Sequence, residues 1–410
     1  MNQKPVLVIL GGNRYNLPSI QNAKEQGFFV IVIDKNPNAA GFAIADIALP
    51  IDIVDYEAVI LELSKQEKIS GVVTMAEVGV LTASKIANYF GLNGLPFSVV
   101  DSVTDKSEMR KKWKNIPEHT VNFEVVETIE NAKIYLQKSN LPLIVKPTKS
   151  FGGSRGIMII KDAKDIEIAF KNAKEEGLKD TKVLIEDVVY GREFSAEVLI
   201  KENKTSVLCI GEKIKSPFPY RVDVSVMYPA QLDNLLENKI NLAIDKAIKA
   251  LEITWGVAHI EFCVTVDEQI IFFELGARCG GGHTSLIAKH VSGIDEFVEY
   301  CKMACQIESN NFEPVKKEGA IYRFLVFKQG KIKNITVDDS ILNNPNILDF
   351  ELEIQKGDTI PLLKNTSARS GFVISLGKTY SDAFELANET CNKISIEYEN
   401  GTVDKPIINF

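Results

Sequence analysis

Between Val6 and Phe90, short apolar runs alternate with stretches of helical periodicity. Val6 to Leu10 predicts a strand, Gly11-Gly12 a turn, Pro18 to Gln26 a helix, and Phe28 to Ile33 a second strand ending at Asp34. A helix over Tyr56 to Ser64, a strand over Ile69 to Thr74 and a helix to Phe90 continue the alternation. Strands this uniformly apolar, separated by amphipathic helices, predict a parallel sheet with helices on its faces. The turn-rich stretch Gly91 to Ser98 closes this unit near Val103.

The pattern then changes. Thr104-Asp105-Lys106 opens a helix rich in Lys and Arg. Leu143 to Val145 and Ile157 to Ile160 predict a hairpin whose loop is the glycine-rich run Phe151 to Gly156. A helix ending near Gly177 leads to a strand over Lys182 to Ile185. Long strands follow at Glu193 to Ile200 and Thr205 to Gly211, then a helix over Leu232 to Leu251. The last block, Ala320 to Phe410, reads as strands followed by a helix over Ser381 to Ile394. A chain of 410 residues exceeds one ordinary core. The pattern shifts near Val103, at Gly191 and at Ala320, which predicts two to four domains or subdomains.

Composition narrows the class. A net charge of −8 speaks against a nucleic-acid groove as the main function. Only five apolar residues precede Gly11, too few for a signal-peptide core, and no apolar run reaches membrane-spanning length; the expectation is a cytoplasmic protein. The six cysteines form no CxxC pair and read as reduced thiols, with Cys301 and Cys305 spaced to share a helix face.

The densest chemical signal is a second hairpin. Ala258 to Val264 alternates as a strand, Asp267-Glu268 offers a polar turn, and Ile270 to Leu275 resumes the strand. With a two-residue turn, Glu261 faces Glu274, with β-carbons roughly 5 Å apart. Like charges placed opposite each other destabilise a hairpin, and Phe262, Phe272 and Phe273 surround these two with apolar bulk. A divalent cation removes the conflict, and Mg²⁺ suits carboxylates combined with phosphate oxygens. A solvated pair and a proton-sharing dyad are the other readings; a one-residue slip would put the glutamates on opposite faces.

Other residues suggest a nucleotide. Lys146 ends the strand Leu143 to Val145 just before the glycine-rich loop, placed to meet phosphate as a point charge. Gly152, Gly153 and Gly156, with Ser154 among them, allow tight turns that present N–H groups to anions. This is not a Walker A loop, which opens a helix with Gly-Lys-Ser/Thr. Glu186 and Glu193 flank a short linker and could take adenine amino and ribose hydroxyl groups; surface glutamates at strand ends are equally ordinary. Arg278, four residues after Glu274, could bind a carboxylate or acyl phosphate in bidentate fashion, or simply pair with a glutamate.

In this order the residues resemble the ATP-grasp superfamily, in particular its carboxylate–amine ligases of the L-amino-acid ligase kind. The elements are Asp105-Lys106 with Met109-Arg110, Lys146-Pro147, the glycine loop, Glu186 to Glu193, and Glu261 with Glu274. The resemblance runs from about residue 5 to about residue 395. It implies an α/β and α+β architecture. A pre-ATP-grasp parallel-sheet domain (1–103) would lead into a small ATP-grasp subdomain (104–187). A large one with the metal site (188–310) and a β-rich, lid-like C-terminal domain (311–410) would follow. It also implies that Lys106 and Lys146 contact ATP phosphates under the loop Ser150 to Gly156. Glu186 would hold adenine, the backbone at Val188 and Val189 would complete its recognition, and Glu193 would hold the ribose. Glu261 and Glu274 would hold Mg²⁺ or Mn²⁺, and Lys146 and Arg278 would serve catalysis. The family carries Asn two residues after the second glutamate; here Gly276 stands there and offers no side-chain ligand.

The implied reaction passes phosphoryl from ATP to a small carboxylate, which an amine then attacks to give an amide, ADP and phosphate. Amino-acid-like substrates, no nucleic acid, no membrane and no covalent enzyme intermediate are expected; homodimers are common in the family. His283, Arg221, Glu77, His259 and Arg278 are the substrate candidates, each with an ordinary packing or surface alternative. A bicarbonate-activating enzyme of the biotin-carboxylase or purine-carboxylase type competes, on Ser370 to Ile374 and the helix after Ser381. The run Gly280-Gly281-Gly282-His283 departs from biotin carboxylase. A nicotinamide dehydrogenase using Asp34 lacks the later glycines of its fingerprint, and a non-catalytic nucleotide sensor is the fourth reading.

Overall fold

The structure is a computed structural model describing residues 4–66, 68–150, 152–217, 219–309, 312–315 and 318–409. Phe151, the first residue of the glycine-rich run, lies outside the described residues.

The N-terminal alternation folds as a four-stranded parallel sheet ordered Ile47–Leu49, Phe29–Ile33, Val6–Leu10, Gly71–Thr74. Its edge strand Ile47–Leu49 was not legible in the sequence: at three residues, half-buried at the ends and exposed at Ala48, it is too short to show a period. One face of the sheet packs on its own helices, with Val8, Leu10, Ile31 and Ile33 against Val59, Leu63 and Ile86. The other face buries Leu7, Ile9, Val30 and Val32 together with Phe297, Tyr300 and Cys301 of the helix Glu296–Ala304. Continuous burial on both faces is why these strands read as unbroken apolar runs. The same packing places the thiol of Cys301 in a core, and all six cysteines are free. The stretch around Ser98, read as turns, is the helix Phe97–Thr104.

A small antiparallel sheet orders Phe123–Val126, Val183–Asp187, Leu143–Pro147 and Met158–Ile160, covered by the helices Ile129–Lys138 and Ile166–Glu175. The glycine-rich loop joins its last two strands, which pair Leu143 with Ile160.

The largest element is an eight-stranded sheet. Its order is Ile270–Gly276, Gly256–Val264, Arg192–Lys201, Lys204–Lys215, Asp223–Tyr228, Gly319–Phe324, Gly371–Gly377, Ile347–Leu352. It crosses the proposed division at 310/311 without a break, since Tyr228 pairs with Ala320. The helix Asn234–Ala250, capped by Asp233, lays Ile240, Ile244 and Ala247 against Phe194, Phe262 and Phe272. Behind the C-terminal strands, the helix Tyr380–Asn392 opens with a capping box between Thr379 and Asp382. Two further strands follow it, Ile394–Tyr398 and Val403–Asp404, in a second small sheet. No helix among the described residues is long and apolar enough to cross a membrane.

Candidate active site

Glu261 and Glu274 are paired directly across the hairpin, but not through the predicted turn. Near the tip, Thr265 N–H donates to Gln269 O and Glu268 adopts a left-handed φ of 54°, so the loop holds three residues rather than two. Val264 therefore faces Ile270 and Phe262 faces Phe272. An extra residue at Phe273 forms a bulge between Phe262 and Glu261 that restores the pairing at the glutamates. The turn length and the missing bulge were compensating errors.

Each glutamate is met by a buried lysine. Lys106 Nζ lies 2.8 Å from Glu274 Oε1, and Lys213 pairs with Glu261. Lys106 is the first residue of the helix Lys106–Trp113, whose end is fixed by Asp105 accepting from Ser107 N–H at 2.8 Å. Burial pushes both carboxyls up, yet the lysines leave Glu274 below the usual carboxylate range and, with His259, hold Glu261 well below it. Both are thus ionised at neutral pH. Among the described residues no cluster of three or more His, Cys, Asp or Glu side chains could hold a metal by itself. The donor set nevertheless suits a hard divalent cation: two facing carboxylates, both about 30% exposed toward one cavity, with remaining positions open to substrate oxygens.

That cavity, about 260 Å³, lies between the small antiparallel sheet and the eight-stranded sheet. Lys106, Lys146, Gly152, Gly153 and Ser154 line one part, and Val188, Val189, Glu193 and Arg221 another. Three left-handed residues, Gly152, Gly153 and Ser154, turn the loop over it. Gly156 does not reach the cavity; a β-carbon there would crowd Pro147 and Glu176. Lys146 and Glu186 line the cavity yet bond to each other in the interior, and Arg110 donates from Nε (2.9 Å) and Nη2 (3.2 Å) to the same carboxylate. Glu193 is held by Arg221 and, at 3.2 Å, by Lys215.

A second cavity, about 520 Å³, adjoins the first and shares Gly153, Asp223, Glu261 and Thr366 with it. Arg278 lines this one rather than the first. Glu77 is reached from it through Arg278, whose Nε lies 3.1 Å from Glu77 Oε2. Tyr15, Tyr322, Phe324 and Phe372 form an aromatic wall. His283 packs behind that wall, 5.1 Å from the Phe372 ring centre, with Nε2 at 3.2 Å from Asp349. His259 bridges Glu197 and Glu261; burial would depress its imidazole, but these two carboxylates together raise it to about 9.

Sequence reasoning missed Lys213, Lys215, Asp223, Glu197 and Arg369. Lys213 and Lys215 are two apart in a strand, so they share a face among apolar neighbours, and that signal was available. Arg369, stacked 3.4 Å over the Phe324 ring and donating to Asp223 O, left no signal because its partners are distant in sequence.

Two carboxylates facing across a hairpin, the buried Lys213 beside one of them and a glycine loop reaching over from a separate small sheet lie within residues 139–286, and those residues form an ATP-grasp domain. Residues 139–286 match the ATP-grasp domain, 323–399 the L-amino acid ligase C-terminal domain 2, and 6–94 the PylC-like N-terminal domain. An L-arginine-specific L-amino acid ligase of Bacillus subtilis is 22% identical over 77% of this chain and 77% of its own. A formate-dependent phosphoribosylglycinamide formyltransferase of Prochlorococcus marinus subsp. pastoris is 24% identical over 95% of this chain and 97% of its own. The crystal structure of an L-amino acid ligase from Bacillus licheniformis superposes with a TM-score of 0.84 at 22% identity, covering 98% of this chain and all of that one.

Proposed function

We propose that the protein is an ATP-dependent carboxylate–amine ligase that forms an amide bond through an acyl phosphate and releases ADP and phosphate. The carrying observation is the junction of the two cavities at Glu261: the nucleotide side ends where the side lined by Arg278 begins. The γ-phosphate and a substrate carboxylate would meet there in line, which is what phosphoryl transfer requires.

Lys106 and Lys146 would take the phosphates, the loop over Gly152 to Ser154 would cover them, and Val188 and Val189 would hold the adenine. Glu193 would take the ribose in exchange for Arg221. Glu186 is saturated by Arg110 and Lys146, so its role in this reading is to set Lys146, with adenine contacted only from its rim. Glu261 and Glu274 would hold Mg²⁺, which when bound supplies charge neutralisation on the transferring phosphoryl group. Arg278 would bind the carboxylate and the acyl phosphate formed from it. Closure of the glycine loop would keep water from that intermediate.

Amino-acid-like substrates fit the second cavity, which joins guanidinium groups at Arg278 and Arg369 to an aromatic wall and an acidic edge at Glu353. Consumption of ATP places the protein in the cytoplasm in this reading. A screen of ADP release over carboxylate and amine pairs tests it: ADP should appear only when both are present, with one amide formed per ADP. ADP release that needs bicarbonate and ignores amino acids would overturn it.

A further inference from the structure

Gly276 departs from the resembled family, and the backbone does not explain why. Its φ lies outside the left-handed region that demands glycine, unlike Gly282 nearby at 67°. Space does explain it. A β-carbon on Gly276 would stand 2.8 Å from Glu77 Oε2 and 3.3 Å from Arg278 Cζ. The room a side chain would need is filled by an ion pair: Arg278 Nε donates to Glu77 Oε2 at 3.1 Å.

Glu77 comes from the N-terminal domain, in the turn after the strand Gly71–Thr74. That turn is tied down by Thr74, whose hydroxyl donates to Leu10 O (3.2 Å) and accepts from Ala76 N–H (3.1 Å). At its other edge the guanidinium donates from Nη1 to Cys279 O at 2.9 Å. Among the described residues Nη2 has no protein acceptor, so it is the donor left for a substrate in the cavity that Arg278 lines.

We propose that Glu77 is the positioning residue for Arg278, and that position 276 is glycine because the Glu77 carboxylate occupies its side-chain space. The N-terminal domain thereby sets the orientation of the group that meets the substrate carboxylate, 201 residues away in sequence. This rests on the ligase reading for the role of Arg278, but not for the shared space.

The test uses the full chain as wild type, Gly276→Ala, Glu77→Ala and the double variant for unfolding, and Glu77→Gln for turnover. In thermal unfolding, Gly276→Ala should lower the midpoint in the wild-type background and leave it unchanged or raised in Glu77→Ala. Equal lowering in both backgrounds overturns the shared space. In turnover, Glu77→Gln should cut kcat for amide formation by roughly tenfold or more while KM for ATP stays within about twofold. An unchanged kcat, or a loss shared equally by ATP binding, overturns the positioning role. A wild type that forms no amide from any pair counts against the ligase reading instead, and the unfolding cycle still decides whether Glu77 fills the space at Gly276.

Discussion

Lys146 and Glu186 form an ion pair with both side chains about 95% or more buried, and Arg110 completes a trio with one more positive charge than negative. Burial drives Lys146 below the usual lysine value, and Arg110 adds to this against the pull of Glu186. Burial would raise Glu186, but the two cations hold it below the usual carboxylate range. A buried surplus cation facing a cavity is a site short of an anion, and a phosphate would supply it. Glu186→Gln leaves two buried cations without their counter-charge and should destabilise the protein by about 3 kcal/mol or more, read as a lower denaturant midpoint without nucleotide. A midpoint equal to wild type contradicts this account of the trio.

Arg278 lines the second cavity and not the first, so its loss should separate the two substrates. Arg278→Ala should reduce amide formation by about a hundredfold or more while ATP affinity by calorimetry stays within a few fold. Equal losses in both would remove Arg278 from the carboxylate side.

Thr366 of the C-terminal region touches the glycine-rich loop. Its hydroxyl donates to Gly153 O at 3.3 Å, and Arg155 Nη2 donates to the Ser367 hydroxyl at 3.3 Å. Thr366 also lines both cavities, so it stands where loop closure and substrate occupancy meet. Thr366→Val should loosen the closed loop and let water reach the acyl phosphate, raising the ratio of ADP to amide by about threefold. An unchanged ratio would show that closure does not depend on this contact.

The imidazolium of His259 makes stability pH-dependent in metal-free protein. Its value rises from 6.5 to about 9 in the folded state, because burial, which lowers it, is outweighed by Glu197 and Glu261 together. A raised value gives stabilisation that is complete below the unfolded value and lost as pH climbs through about 9. With chelator present, the difference in denaturant midpoint between wild type and His259→Gln should be largest near pH 6 and shrink by about pH 10. A constant difference across that window contradicts the assignment.

The elements that were legible in the sequence are those with an unbroken apolar run or a period: the apolar strands of the N-terminal sheet, and then the helix beginning at Asn234 and the two strands carrying Glu261 and Glu274. The bulge at Phe273 was not, because an inserted residue leaves alternation on either side intact and shifts only the register. Lys146 and the glycine loop stood out because a charge and glycines interrupt apolar runs, whereas Lys106 was carried by the family motif alone. Arg369 and Glu197 did not, since each acquires meaning only from a partner on another element, Asp223 and His259; Arg110 was visible in its motif but not as the partner of Glu186. Gly276 was visible as a departure, but its cause lies in Glu77 at the far end of the chain.

The facing pair Glu261 and Glu274 carries the account, and metal-dependent turnover in Glu261→Gln and Glu274→Gln tests it most directly. Each substitution keeps shape and removes one anionic ligand, so ADP formation at fixed Mg²⁺ should fall by about a hundredfold or more, with a higher Mg²⁺ requirement for what remains. Near-normal ADP formation and an unchanged Mg²⁺ requirement in both variants would contradict the claim that these two carboxylates hold the metal.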